Sequence, residues 1–150
     1  MKQKDLPKKI AVLMGGPGSE RDVSLATGRG VSKALRSLGA DIVDVDVRDE
    51  NFVLPEDVDL AFITIHGTFG EDGQLQKILD DRGIPYTGDG VEESLIAFDK
   101  ILTKEKFREH NVVTPEWEVV DAGQRPKIAE PLVVKPARQC STVGVVIVKN

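Results

Sequence analysis

Two short apolar runs rich in β-forming residues, each followed at once by a glycine-rich loop, constrain the fold of this chain more than any other feature. The first run covers residues 9–14 and leads into Gly15, and the second covers residues 60–65 and leads into His66 and Gly67. Continuous apolar runs of this length are typical of strands buried on both faces of a parallel sheet. Ligands of such sheets bind outside the carboxyl ends of the strands, so the two loops are predicted to face one crevice.

The segment between the two runs has the pattern of a helix followed by a strand. Apolar residues from Val23 to Leu38 fall on one helical face, and Gly39 is predicted to end the helix. Ser19 and Asp22 predict a capping box at its start. The alternating acidic and apolar residues that follow are typical of a half-exposed strand over residues 41–47.

Three helical patterns follow the second apolar run, over residues 75–82, 91–98 and 100–109. Asp72 and Asp99 are predicted to cap the first and the third of these helices.

Gly28 and Gly30 lie inside the earlier helix that follows the first loop, where glycine lowers stability. Close packing against the sheet is the predicted reason for them. The order of elements predicts an α/β fold with an open, mostly parallel sheet and helices on both faces.

The character of the sequence changes after about residue 110. Proline-framed strand candidates replace the alternating helices and strands, over residues 117–120, 132–135 and 143–148. This pattern predicts the antiparallel start of a second domain. Three strands without a following helix make a poor independent core, so this second domain is expected to be incomplete.

Composition excludes several classes of function. The formal net charge of -5 argues against non-specific nucleic-acid binding, which needs a basic surface. No apolar run is long enough to cross a bilayer, and the first residues lack the pattern of a signal peptide, so a cytoplasmic protein with no membrane partner is expected. The single cysteine, Cys140, allows neither an internal disulfide nor a cysteine-rich zinc site.

The first loop, residues 15–21, matches no phosphate-binding motif of the common kinds. No Lys-Ser or Lys-Thr pair follows it, as a Walker loop requires, and Arg21 stands where a dinucleotide fingerprint needs its third glycine. What the loop presents is Glu20 at the start of a helix. Two interpretations stay open. The Glu20 carboxylate binds the ammonium group of a substrate, or it is only a favourable charge near the helix dipole.

The second loop brings three ionisable residues, His66, Glu71 and Asp72, within seven positions. One histidine and two acids are thin evidence for a metal site. His66 follows a buried strand, where its imidazole is able to donate a hydrogen bond to a developing oxyanion, and the alternative is a purely structural turn.

Lysines and hydroxyls form the third group of candidates. Lys100 begins a predicted helix, and Lys135 ends an apolar strand before a loop that contains Ser141 and Thr142. A lysine that emerges from a buried strand is costly unless its ammonium meets an anion such as a phosphate, while the alternative is that both lysines reach into solvent. Three other basic residues of the same helix are assigned to its solvated face: Lys104, Lys106 and Arg108.

Taken together, four segments closely resemble the D-alanine–D-alanine ligases of the ATP-grasp superfamily: GGPGSERDVSL, HGTFGEDGQLQ, IPYTGDGVEESLIAFDK and VVKPARQCSTVG. The resemblance covers nearly all of the chain but only about the first half of a family member. It implies an N-terminal substrate-binding domain of the pre-ATP-grasp type over residues 1–99. Residues 100–150 would be the incomplete beginning of the central ATP-grasp subdomain.

The resemblance implies an enzyme that joins two D-alanines with ATP and magnesium to make a dipeptide for peptidoglycan. The carboxylate of the first D-alanine is phosphorylated, and the amine of the second attacks the acyl phosphate. Glu20 would hold the ammonium of the first D-alanine and orient Ser141, and Val23 would line the same subsite. His66 would lie beside the carboxyl group being activated, with support from Glu71.

The resemblance also assigns the ATP side of the site. Lys100 and Lys135 would bind the phosphates, and Ser141 and Thr142 would belong to the loop that covers them. Cys140 stands where the family usually has glycine, which puts close approach of this loop to phosphate in doubt. The magnesium ligands would lie beyond residue 150, a homodimer is implied, and a D-alanyl-D-lactate ligase stays open. The alternative is a non-catalytic module for small-ligand binding or dimerisation.

Overall fold

A computed structural model of the chain describes residues 9–140 and 142–149. The chain divides into two compact units between Leu95 and Ile96. The elements are, in order, β1 (Lys9–Gly15), α1 (Arg21–Ser37), β2 (Asp41–Val47), β3 (Leu60–Ile63), α2 (Gln74–Asp81), α3 (Val91–Phe98), α4 (Lys100–Glu109), β4 (Leu132–Val134) and β5 (Val146–Val148). The functional division into residues 1–99 and 100–150 stays a prediction.

The first unit is built on a parallel sheet with β1 in its centre. β1 pairs with β2 on one side and with β3 on the other, in the order β2-β1-β3. β3, predicted over residues 60–65, ends at Ile63, and Thr64 donates both its backbone N–H, at 2.9 Å, and its hydroxyl, at 2.8 Å, to the carbonyl of Leu13. Beyond β3, Tyr86 makes a parallel bridge to Ala61.

Helices cover both faces of this sheet, as predicted. Successive side chains of a strand point to opposite faces. On one face, Leu13 belongs to the same buried cluster as Leu75 and Leu79 of α2. On the other face, Met14 lies against Gly28 of α1. The mixed α/β architecture with a parallel sheet is therefore confirmed.

The buried face of α1 differs from the predicted one. The apolar residues from Val23 to Leu38 do not form it, and Val23 itself is 58% exposed. The buried residues are small: Ser24, Gly28 and Ser32. A Cβ at Gly28 would lie 2.5 Å from Cβ of Met14, so small residues allow the helix to approach the sheet closely. The predicted packing reason holds for Gly28 and is wrong for Gly30, which faces open space.

Helix ends are partly as predicted. The capping box is wrong: Glu20 occupies the N-cap position of α1, and no side chain caps the helix there. Gly39 follows the end of α1 with a φ of 84°, as a helix-ending glycine does. For α2 the N-cap is Gly73 instead of Asp72, although the Asp72 carboxylate accepts from the first amide of the helix at 3.2 Å.

The second unit contains α4 and a hairpin of β4 and β5, paired antiparallel. Asp99 caps α4 as predicted, accepting from the amides of Ile101 and Leu102 at 2.9 and 3.3 Å. Residues 117–120 form no strand, so that prediction is wrong. Across residues 9–140 and 142–149, no helix is long and apolar enough to cross a membrane.

Candidate functional site

The loop after β1 and the loop after β3 lie against each other, as the parallel sheet requires. A carboxylate oxygen of Glu20 occupies the space that a Cβ on Gly67 would fill. Gly67 also has a φ of 72°, which L side chains rarely adopt, so two independent restrictions favour glycine there. A Cβ on Gly18 would stand 3.5 Å from the carbonyl oxygen of Thr68. Glu20 and the His66 loop therefore share one end of the sheet.

Ser24 of α1 forms hydrogen bonds with both loops. Its side chain is fully buried, its hydroxyl accepts the backbone N–H of His66 at 2.9 Å, and it donates to the carbonyl of Glu20 at 3.0 Å. One buried hydroxyl thus fixes the backbone of both candidate residues. Ser24 was not predicted as a site residue. The signal was a small polar residue one helical turn before Gly28, on the face that packs on the sheet.

The imidazole of His66 lies between two polar side chains. Its Nε2 is 3.0 Å from the hydroxyl oxygen of Thr27 in α1. Its Nδ1 is 3.7 Å from one carboxylate oxygen of Glu71, whose other oxygen accepts the amide of Gly67 at 2.9 Å. The ring is about one third exposed. His66 is therefore held in orientation while one edge stays open to a small polar ligand.

This arrangement suits a small zwitterion. The Glu20 carboxylate is half-buried and offers a negative charge for an ammonium group, and the imidazole offers a donor for a carboxyl oxygen. Val23 lies in the first turn of α1 with its side chain exposed, where an apolar group of a ligand would be able to contact it. In the described residues, no three His, Cys, Asp or Glu side chains are grouped to hold a metal ion.

The second unit holds the predicted phosphate-binding residues, and here the outcome is mixed. The ammonium of Lys100 donates to the carbonyl of Gln139 at 2.5 Å, and the amide of Lys100 donates to Ala137 at 3.0 Å. The start of α4 is thus tied to the loop that follows β4. Ser141 lies outside the described residues, and the side chain of Thr142 is exposed.

Lys135 does not emerge from a buried strand. Val133 and Val134 before it are 51% and 48% exposed, and Lys135 is exposed as well. Two paired strands of three residues each bury little surface, so the burial argument for this lysine fails. Lys104 also differs from its predicted solvated position, because its ammonium contacts the Thr114 hydroxyl and lies 3.3 Å from the Pro115 carbonyl.

Asp99 links the start of α4 to the loop after β4. It is 3% exposed and accepts from Nε of Arg138 at 2.7 Å. Burial by itself raises the pKa of Asp99, but the hydrogen bonds from Arg138 and from the amides of Leu102 and Ile101 outweigh it and hold the pKa below its usual range. The carboxylate is therefore more stable in the folded unit than in the unfolded chain.

We expect Asp99→Asn to lower the stability of this unit at neutral pH by about 1–2 kcal/mol, because asparagine keeps the cap but loses the charge that Arg138 contacts. The figure allows for the exposure of the arginine. A lowered pKa gives stability that is present above the unfolded pKa and is lost as the pH falls through the folded one. Urea unfolding followed by Trp117 fluorescence at several pH values measures this difference.

The matched control is Asp121→Asn, which changes an exposed aspartate of the same unit. Its effect on the free energy of unfolding should be small at every pH. If Asp99→Asn and the native sequence differ equally at neutral pH and well below pH 4, the assigned role of the carboxylate charge is wrong.

Several known proteins are similar in sequence to this chain. Residues 46–89 match the family model described as D-ala D-ala ligase N-terminus. The D-alanine–D-alanine ligase of Methylacidiphilum infernorum is 46% identical over 140 residues, which are 93% of this chain and 46% of that protein. Over nearly its whole length, this chain is similar in sequence to the N-terminal half of D-alanine–D-alanine ligases.

Solved structures of the D-alanine–D-alanine ligase family have the same fold. The Bacillus anthracis ligase matches with a TM-score of 0.80 and 35% identity, over 95% of this chain and 49% of that one. A structure of the Bacillus anthracis ligase complexed with ATP matches with a TM-score of 0.79 and 32% identity, over 95% and 50%. The chain thus spans about half the length of the ligases that it matches.

Proposed function

We propose that the protein to which this chain belongs is an ATP-dependent, ADP-forming ligase that joins two D-alanines. The observation that carries the proposal is the contact of the Glu20 carboxylate with Gly67, beside His66, at the shared end of β1 and β3. A non-catalytic fold would not need an acid and an imidazole from separate loops at one end of a sheet. The similarity to ligases over almost the whole chain supports the same reaction.

In this proposal Glu20 binds the ammonium group of the first D-alanine. An ammonium about 4 Å from a carboxylate gains roughly 4 kcal/mol at an effective dielectric of about 20, before the cost of desolvation. Val23 contacts the methyl group or Cα of the same substrate. Glu20 is the N-cap residue of α1, and Val23 lies in its first turn. The same end of the helix therefore carries both roles.

His66 donates a hydrogen bond from Nδ1–H to the carboxyl group that is being phosphorylated, because the 3.7 Å between Nδ1 and the Glu71 oxygen is too long for a hydrogen bond within the protein. The donor stabilises negative charge as it develops on the carboxyl oxygen, and a ring already held in place needs little reorganisation. Glu71 supports His66 through its charge, which lies 3.7 Å from Nδ1 and favours the proton on that nitrogen. The chemistry is one of orientation and charge, which these side chains are able to supply.

Lys100, Lys135 and Thr142, with Ser141 of the same loop, are proposed to hold the ATP phosphates. The Lys100 ammonium donates to the Gln139 carbonyl. Exchanging this neutral acceptor for a phosphate oxygen adds the attraction between two full charges to the hydrogen bond. The exposure of Lys135 and Thr142 leaves both free to contact a ligand. The ATP complex of the Bacillus anthracis ligase supports this part of the proposal.

The remaining parts of the proposal rest on the family. Magnesium would assist by neutralising phosphate charge, and the resemblance implies that its ligands lie beyond residue 150. A role in peptidoglycan synthesis follows from the dipeptide product. A cytoplasmic location is proposed because ATP is the cosubstrate, and a homodimer is proposed from the resemblance alone.

The test is ADP release that depends on D-alanine. We expect the natural polypeptide to have about twice the mass of this chain and to release ADP only when D-alanine is present. The 150-residue chain should give no turnover, because the resemblance implies that the magnesium ligands needed for phosphoryl transfer lie beyond residue 150. A natural polypeptide no longer than this chain, or a longer one without D-alanine-dependent ADP release, would favour the non-catalytic module.

A further inference from the structure

Thr27 makes a contact that the roles above do not use. Its hydroxyl oxygen lies 3.0 Å from Nε2 of His66. Among the residues that the structure describes, this ring is the one hydrogen-bond partner of the hydroxyl. A threonine inside a helix commonly turns its hydroxyl to the backbone carbonyl one turn earlier. In α1 the hydroxyl serves a side chain from a different loop instead, which points to a role in holding that side chain.

The two ring nitrogens of His66 face different kinds of group, a carboxylate that only accepts and a hydroxyl that both donates and accepts. Nδ1 faces the Glu71 carboxylate at 3.7 Å, and a carboxylate attracts an N–H and repels a lone pair. The proton of the neutral ring is therefore favoured at Nδ1. Nε2 then carries the lone pair, and the Thr27 hydroxyl is the donor that faces it.

We propose that Thr27 is a positioning residue for His66, which it holds in one ring plane and, together with Glu71, in the Nδ1–H tautomer. A hydroxyl donates as well as accepts. When the ring takes up a second proton, Nε2–H finds the same oxygen as an acceptor. One residue therefore keeps the ring in place in both protonation states, without a rotation of the ring between them.

The same helix also holds the backbone of this histidine. Ser24 accepts the backbone N–H of His66 at 2.9 Å, and Thr27 lies almost one turn further along α1. α1 thus fixes His66 at two points, the amide and the ring. The branched Cβ of threonine restricts the rotamer of its hydroxyl, which a serine at this position would do less strictly.

The tautomer is measurable in this chain without any substrate. Nitrogen-15 NMR of the imidazole, at a pH well above the ordinary titration range of histidine, identifies the protonated ring nitrogen. The sequence has two histidines, so His110→Gln leaves the signals of His66 alone. We expect the proton on Nδ1 in the native sequence and in Thr27→Ser. We expect a shift toward the Nε2–H form that free histidine prefers in Thr27→Val, which has nearly the same shape without the hydroxyl.

A second variant keeps the test decisive if Thr27→Val does not fold. Glu71→Gln removes the charge that faces Nδ1 and keeps an oxygen for the Gly67 amide, so it should shift the tautomer in the same direction. The inference is overturned if the native ring carries its proton on Nε2, or if Thr27→Val folds and leaves the tautomer unchanged.

The kinetic consequence rests on the proposed function and is measured separately in the full-length protein. Thr27→Val should lower kcat about tenfold with the KM for ATP unchanged, and Thr27→Ser should restore kcat to within about twofold. A tautomer shift without a loss of kcat would refute the positioning role while leaving the ligase proposal standing. An absence of ligase activity in the native full-length protein would refute the proposed function, and the tautomer result would stand by itself.

Discussion

Replacing Glu20 with glutamine in the full-length protein is expected to raise the KM for the first D-alanine about 10- to 100-fold, with the KM for ATP changed less than about twofold. A hydrogen bond to a charged group contributes about 1.5–3 kcal/mol, and glutamine keeps the shape of the side chain while losing its charge. The carboxylate lies against Gly67, so the replacement should keep the length of the side chain. Steady-state kinetics with each substrate varied in turn measures the two constants.

The matched control is Asp22→Asn, which removes an exposed acid from the same helical turn. Because that carboxylate lies in the first turn of α1, its loss changes the helix dipole interaction by about as much as the loss of Glu20 does. If both variants raise the KM for D-alanine equally, a general effect of charge explains the result. An unchanged KM in Glu20→Gln would remove the ammonium-binding role from this residue.

The second large effect concerns stability. Gly28→Ala is expected to lower the free energy of unfolding of the first unit by about 2–3 kcal/mol, although alanine is the better helix former. The added Cβ would lie 2.5 Å from Cβ of Met14 and 2.9 Å from the Thr64 hydroxyl. The Met14 atom is fixed to the backbone of β1, so the helix itself must move away from the sheet.

Gly30 provides the control within the same helix. A Cβ there meets nothing within 4 Å, so Gly30→Ala should raise stability by about 0.5–1 kcal/mol. Hydrogen exchange of the most protected β1 amides measures both variants in the unit concerned. Equal effects of the two substitutions would mean that helix propensity, and not the packing distance, governs this helix.

The sheet and its loops were predictable because buried parallel strands have a strong sequence signature. Continuous apolar runs predicted β1 and β3. The rule that ligands bind at the carboxyl ends of parallel strands predicted Glu20 and His66 at one end of the sheet. The glycine after α1 and the aspartate before α4 were read correctly, because both act through local geometry. Local geometry needs no knowledge of what packs against the element.

The buried face of α1 was not predictable from apolar periodicity. The periodic pattern selected Val23 and its apolar neighbours, whereas the helix packs through Ser24, Gly28 and Ser32. When two backbones approach closely, small residues occupy the contact, and polar ones are tolerated when a partner satisfies them. Ser32 has such a partner in Asp44 at 2.6 Å. The hydrogen bonds of Ser24 and Thr27 were missed for the same reason.

The burial of the second unit was overestimated because its apolar strands were assumed to be covered. Val133 and Val134 have the composition of a core strand, yet half of each side chain is exposed. An apolar composition indicates that a strand favours burial. Whether the strand is buried depends on the elements that pack against it. The failure of the burial argument for Lys135 follows directly.

The contact of Gly28 with Met14 has a consequence for the specificity of such an enzyme. α1 carries Ser24 and Thr27, with Glu20 at its N-cap. The absence of a side chain at Gly28 sets the distance between α1 and β1. In the proposed ligase, the width of the amino-acid pocket would therefore be set in the interior of the domain, about two turns away from the acid that would bind the ligand. Attempts to admit a bulkier D-amino acid should begin with side-chain volume at positions 14 and 28, before any loop is redesigned.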